Sequence, residues 1–255
     1  MKRFKPLFLL FGLFFLISGI SRASDEIFEI KKRFQEIIVP EIKIEDKYRN
    51  QILKDALERF LEAGITESQY FVYVDRNPAK QLIFVLFFDG KDIVEIGRDL
   101  ISTGNPKKGK NYFLTPTGIF KNSVDNFNYR ALGTKNDLGW RGLGKKGSRV
   151  WDLGWQESHQ VIRNQKIDFC CIRLLMHATD PDYGEQRLGK PDSQGCIRIS
   201  AKMNELLDLF GLLDKEYEDN AEKIKNISWL LRKDRKDIKH KGQYVVVGDS
   251  GDFTD

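Results

Sequence analysis

The spacing of apolar residues changes along this chain, and the changes mark out its parts. From Ser24 to Val39, Ile27, Ile30, Phe34 and the pair Ile37/Ile38 recur at helical intervals until Pro40 ends the run. From Asp46 to Ala63 a second stripe of Tyr48, Ile52, Ala56 and Phe60 is widened by Leu53 and Leu57, and Gly64 closes it. The spacing predicts two helices that pack as an accessory pair on the main domain.

Beyond them the pattern becomes that of strands. Tyr70–Val74, Leu82–Phe88 and Ile93–Ile96 are rich in β-branched and aromatic residues, with Asn77-Pro78 and Asp89-Gly90 between them as turns. This is the signature of an antiparallel meander. Leu100–Gly104 leads into a polar loop, and Phe113–Phe120 carries the turn element Thr115-Pro116-Thr117-Gly118. Residues 121–160 read as loop-rich, with several glycines and Trp140, Trp151 and Trp155. These tryptophans either floor a substrate cleft or anchor long loops. His159 among them reads as a structural or surface histidine. Ile167–Leu174 is a strand that sets Cys170 and Cys171 on opposite faces, where we expect buried, small apolar side chains.

Ser200 is placed to cap a helix reaching Phe210, with Met203, Leu206, Leu207 and Phe210 as its core stripe. A polar helical insertion continues to about Asp237, its apolar side made by Ile224, Ile227, Leu230 and Leu231. Tyr244–Val247 is a closing strand.

The chain's first residues carry an address. Lys2, Arg3 and Lys5 precede an apolar run from Leu7 to Ile17, and Ser21-Arg22-Ala23 supplies small residues where a signal peptidase reads. We expect a secretory signal over residues 1–23, cleaved after Ala23, because the apolar run is short for a membrane span. The organisation expected is a signal at 1–23, a helical segment at 24–67 and a catalytic domain at 68–250. The formal charge of +5 includes four cations of residues 1–23 and no acid from them, so the remainder carries +1. That is not the basic surface of a nucleic-acid binder. Three cysteines leave at least one unpaired, and no short Cys/His spacing suggests a metal ligand set. No metal and no organic cofactor is expected.

Candidate chemistry is concentrated in one place. His177-Ala178-Thr179 is followed by Ser193-Gln194-Gly195-Cys196-Ile197-Arg198. A thiol attacks only as thiolate and needs a nearby base, which histidine supplies, while a glycine beside it keeps the approach open. Backbone N–H groups around Gly195 and Cys196 are natural donors to an oxyanion. Arg198 alternates with Cys196 along the strand, suited either to a substrate carboxylate or to a structural salt bridge.

Four separated pieces, Ser102-Thr103-Gly104, Thr115–Phe120, Leu175–Thr179 and Leu188–Arg198, resemble the L,D-transpeptidase (YkuD-like) catalytic domain in order and spacing. The resemblance covers roughly Gln69 to Val247. It implies a mostly β domain of mixed, sandwich-like sheets, here with N-terminal helices and a C-terminal helical insertion. It also implies periplasmic or cell-wall-facing chemistry on peptidoglycan stem peptides. Carried over by position, it makes Cys196 the nucleophile and His177 its general base. Ser193, Gln194, Gly195 and Arg198 are the attendant oxyanion or substrate-binding candidates. The sequence departs from the motif at Gln194, where histidine is usual, and at Ala178, where glycine is more common. Glutamine forms hydrogen bonds but cannot titrate. The reading is an exported transpeptidase that releases D-Ala and transfers the acyl group to an amine. The alternatives are an L,D-carboxypeptidase or endopeptidase using the same thiol, and a wall-binding module with impaired turnover. No stable membrane insertion is expected after cleavage.

Overall fold

The computed structural model describes residues 10–161 and 167–253. The start of the expected signal lies outside them. The first helix, α1, spans Leu10–Ile37, passing the expected cleavage point without a break, and α2 spans Asp46–Glu62. Among the described residues no helix is long and apolar enough to cross a membrane.

The strands form one curled, mixed sheet. In chain order they are β1 (Gln69–Asp75), β2 (Leu82–Phe88), β3 (Ile93–Ser102), β4 (Gly118–Lys121), β5 (Tyr129–Arg130), β6 (Arg149–Val161), β7 (Ile167–Ala178), β8 (Ile197–Ile199) and β9 (Tyr244–Gly248). Across the sheet the order is β4-β9-β1-β2-β3-β8-β7-β6-β5. The expected meander is β1-β2-β3, all antiparallel, while β9 runs parallel to β1 and β8 parallel to β7. The mostly β, mixed-sheet class is the one found, with the strands joined in a continuous sheet.

Every residue of β1 and β2 is buried, because helices cover both faces. Tyr70, Val72, Val74, Ile83, Val85 and Phe87 face one core, shared with Ile30 and Phe34 of α1 and with helix α3 (Ala201–Phe210). Phe71, Tyr73, Phe84, Leu86 and Phe88 face the other, shared with Tyr48, Ile52, Ala56 and Phe60 of α2. The period-two alternation of these strands thus serves two apolar layers, and removing either helix would expose one. Helix α3 begins as predicted: Ser200 Oγ accepts the Met203 N–H at 3.0 Å and donates to Asp99 at 2.5 Å. The insertion folds as two short helices, α4 (Lys215–Asp219) and α5 (Ile227–Leu230). Ile227, Leu230 and Leu231 bury with Tyr217, and Ile224 packs against them.

Two expectations are corrected. The stretch expected to be loop-rich holds a 13-residue strand, β6, whose partner is β7. Glycines and tryptophans hid its alternation, which a register shift between Asp152 and Trp155 also interrupts. Cys170 and Cys171 are exposed rather than buried. Strand β8 pairs with β7 only at Met176–Ala178, so the earlier part of β7 pairs with β6 alone and projects as a two-stranded ribbon.

Candidate active site

The parallel pairing of β7 with β8 sets His177 opposite Arg198, and Cys196 lies just before β8 in the turn that feeds it. Ser200 and α3 fix the far end of that strand. His177 therefore sits on β7 and Cys196 at the entrance to its neighbour β8.

The turn at residues 192–196 is held from several sides. The Asp192 and Ser193 N–H groups both donate to the Thr103 carbonyl at 2.9 Å. Gln81 holds Thr103 in turn, accepting its N–H at 2.7 Å. Ser193 Oγ donates to the Cys196 carbonyl at 2.6 Å and accepts the Gly195 N–H at 3.0 Å. Thr115 Oγ1 donates to the Gly195 carbonyl at 2.7 Å and accepts the Gly104 N–H at 2.8 Å. A Cβ on Gly104 would lie 1.9 Å from the Phe113 carbonyl oxygen and 2.9 Å from the Gly195 Cα. Gly195 has φ +130°, and its added Cβ would meet Ile172 Cδ1 at 2.8 Å. Thus the Ser102-Thr103-Gly104 and Thr115 segments, distant in sequence, are the brackets of the cysteine turn.

His177 is buried, and its Nδ1 lies 2.8 Å from the Ala178 carbonyl oxygen. A carbonyl only accepts, so Nδ1 carries the proton and the Nε2 lone pair of the neutral ring is left for proton transfer. Burial, followed by the Arg198 charge, holds the imidazole down at about 4. The Cys196 thiol is pushed up, chiefly by burial and also by the Asp152 carboxylate. The Leu175 N–H and Arg198 oppose that rise without cancelling it. Both groups therefore rest neutral at pH 7: a thiol and an imidazole rather than an ion pair. Asp152 is itself buried, bound by the Arg173 guanidinium at 2.6 Å and by the Gly154 N–H at 3.0 Å.

A cleft of about 510 Å³ opens over these residues, lined by His177, Cys196 and Arg198 together with Trp140, Arg141 and Arg187. Its electrostatics are dominated by cations around Asp192. Lys108 and Arg187 pair with the Asp192 carboxylate, and Arg198 stands 3.9 Å from it while donating to its carbonyl at 3.3 Å. Arg187 also stacks over Trp140 at 4.7 Å. The cleft lining itself carries Arg141, Arg187 and Arg198 against Asp180, a positive excess that favours an anionic ligand group. Among the described residues no group of His, Cys, Asp and Glu side chains is arranged to hold a metal ion.

The residues singled out from the sequence fare differently. Cys196, His177, Ser193, Gln194 and Arg198 all line the cleft. The Gly195 N–H is committed to Ser193 Oγ, so it is not a free oxyanion donor. The Cys196 N–H has no acceptor among the described residues and is the donor left available. The Gln194 side chain is exposed and forms no hydrogen bond among the described residues, whereas its carbonyl accepts the Phe113 N–H at 3.4 Å. Arg198 approaches Asp192 and also lines the cleft. The three tryptophans part company: Trp140 lines the cleft, Trp151 is buried and Trp155 is exposed. Lys108 and Arg187 had no sequence signal, since each ends a three-residue 3-10 turn and the two turns converge only in the fold.

Residues 69–215, more than half of the chain, match the family model described as the L,D-transpeptidase catalytic domain, YkuD. No curated protein matches the chain. Among solved structures, Bd1075 from Bdellovibrio bacteriovorus is similar at 14% identity and a TM-score of 0.34, over 72% of this chain and 48% of that one. A fused Zn-dependent amidase/peptidase/peptidoglycan-binding domain-containing protein from Clostridium acetobutylicum is similar at 15% identity and a TM-score of 0.29, over 81% and 65% respectively. The chain thus spans less than two thirds of either protein, and likeness at these scores carries no weight for fold or chemistry. The family match covers all four motif segments and the whole bracketed turn, and the chain belongs to the L,D-transpeptidase catalytic-domain family.

Proposed function

We propose that the protein is an exported cysteine L,D-transpeptidase acting on peptidoglycan stem peptides. The observation that carries this reading is His177, whose Nδ1–H is fixed by Ala178, leaving Nε2 for the Cys196 thiol that lines the same cleft. In the acylation step the Cys196 sulfur attacks the carbonyl of the L-configured diamino residue as its proton passes to His177 Nε2. The developing oxyanion lies toward the Cys196 N–H. The tetrahedral intermediate collapses, the D-Ala nitrogen takes the proton from His177, and D-Ala leaves behind a thioester. An amine of a second stem then attacks the thioester and gives a proton to His177, and the departing Cys196 sulfur takes that proton to return as the thiol. The cation-rich end at Arg198 and Arg187 suits the donor's terminal carboxylate.

Residues 68–250 form the catalytic unit in this reading, with 24–67 as its helical cover and 1–23 as the signal. The family match supports a wall-facing location, and the charged, apolar, small-residue order of residues 1–23 is in keeping with it.

Hydrolysis is the second reading, favoured by the exposed Gln194 at the cleft rim, where the family motif has histidine. A single experiment separates the two. The protein is incubated with a stem tetrapeptide, with and without an amine acceptor, and D-Ala, cross-linked product and tripeptide are quantified for wild type and Gln194→His. Transpeptidation predicts cross-linked product in the presence of the amine; tripeptide alone assigns the protein as a hydrolase. Absence of D-Ala release under either condition removes the transpeptidase and carboxypeptidase readings and leaves the endopeptidase and wall-binding ones.

A further inference from the structure

The ribbon made by β6 and β7 beyond β8 has two unlike faces. Ser158, Gln160 and Ile172 lie on the inner one, where Ser158 Oγ donates to the Leu114 carbonyl and Gln160 accepts the Asn111 N–H at 2.8 Å. This face rests on the loop that brackets the nucleophile. The outer face sets Trp155, Glu157 and His159 opposite Arg173, Cys171 and Phe169. Trp155 is 67% exposed and Phe169 78%, and the His159 ring lies 6.1 Å from that of Phe169. The acyl-transfer steps use neither Trp155 nor Phe169, and aromatic surface left in water is unfavourable unless something covers it.

We propose that this face docks the glycan strand to which the stem peptides are attached, with sugar rings stacking on Trp155 and on the Phe169–His159 pair. The identity of the polymer rests on the peptidoglycan reading; the docking surface rests on the ribbon. Pyranose rings present apolar C–H faces and polar rims, and this stripe alternates aromatic rings with Glu157 and Arg173 in the same way. Trp155 and His159 are four positions apart on an extended strand, about 13 Å, so the two aromatic stations serve different sugars of one strand. The described residues of this face favour a neutral polymer. Among the described ribbon residues Arg173 is the one permanent cation, and it is committed to Asp152. Nucleic acid and anionic lipid call for free positive charge, which the described residues of this face do not offer. The stripe is also continuous with the active site: Phe169, Cys171, Arg173 and His177 alternate onto one face of β7, and Arg173 holds the Asp152 that influences the thiol. A glycan laid along the ribbon therefore brings its pendant peptide to Cys196.

The test uses glycan strands stripped of peptide by an amidase, so that binding and catalysis are read separately. Binding is measured with full-length Cys196→Ala protein and with the same protein carrying Trp155→Ala and Phe169→Ala. Turnover of free stem tetrapeptide is measured with the Trp155→Ala/Phe169→Ala variant in the Cys196 background. The proposal expects the stripped strands to bind, the double variant to bind at least about tenfold more weakly, and free-peptide turnover to stay unchanged. Strands that fail to bind, or that bind both proteins equally, overturn it even if peptide turnover is normal. A concentration-dependent dimer that the double variant abolishes, without glycan binding, gives the face to a second copy and also overturns it. Strands that bind the parent protein and not the variant, with no peptide turnover by either, leave the docking surface standing and remove the catalytic reading.

Discussion

Thr115 Oγ1 donates a 2.7 Å hydrogen bond to the carbonyl of Gly195, the residue immediately before the candidate nucleophile. The same oxygen accepts the Gly104 N–H at 2.8 Å, so one buried hydroxyl joins two backbone segments beneath the cleft. Its removal leaves a buried donor and a buried acceptor without partners. Thr115→Val is expected to cost about 2–4 kcal/mol in denaturant unfolding and to lower turnover, while Thr115→Ser restores most of both. Equal stability for Val and wild type would show that the hydroxyl is not what holds the turn.

The depressed imidazole makes stability depend on pH in a defined direction. His177 titrates near 6.5 when unfolded and at about 4 when folded, so the unfolded chain binds the extra proton first on acidification. Its contribution is fully present above pH 6.5 and is lost as the pH falls from there through about 4. The unfolding midpoint of the wild type, compared with His177→Gln at matched pH values, is expected to fall more steeply across that window. Parallel curves would mean that His177 is not buried neutral.

The three thiols differ in reach. Cys170 and Cys171 are exposed on the ribbon, whereas the Cys196 thiol lies in the cleft and is pushed up by burial. A small alkylating reagent at pH 7 is expected to modify Cys170 and Cys171 first, with Cys196 gaining as the pH rises. Peptide mapping of a brief alkylation reads this directly. Preferential labelling of Cys196 at pH 7 would indicate a resting thiolate and an ion-paired histidine instead of the neutral pair.

Much of this arrangement is legible in the residues. The Tyr48, Ile52, Ala56 and Phe60 stripe marks α2, and the Met203, Leu206, Leu207 and Phe210 stripe behind Ser200 marks α3, because burial on one face leaves a periodic trace. The cysteine turn is legible because its glycine and its histidine spacing are local. The rest depends on contacts between distant segments. Nothing around Lys108 or Arg187 marks them as partners of Asp192, and Thr115 reads as a turn residue until the fold sets it under Gly195. The exposure of Cys170 and Cys171 escapes the sequence because strand character predicts alternation but not what covers each face. Whether a strand lies within a sheet or projects past its neighbour is decided by the length of that neighbour, here the three residues of β8.

The central claim is that Cys196 carries the acyl group and His177 moves the proton. Intact-mass measurement and peptide mapping after rapid mixing with a stem tetrapeptide test it most directly. The account predicts an adduct of the tripeptide acyl group on the peptide containing Cys196, formed with equimolar D-Ala release. It predicts no adduct in Cys196→Ala and formation slowed by about a hundredfold or more in His177→Ala. An adduct on Cys170 or Cys171, or acylation at the wild-type rate without His177, would contradict it.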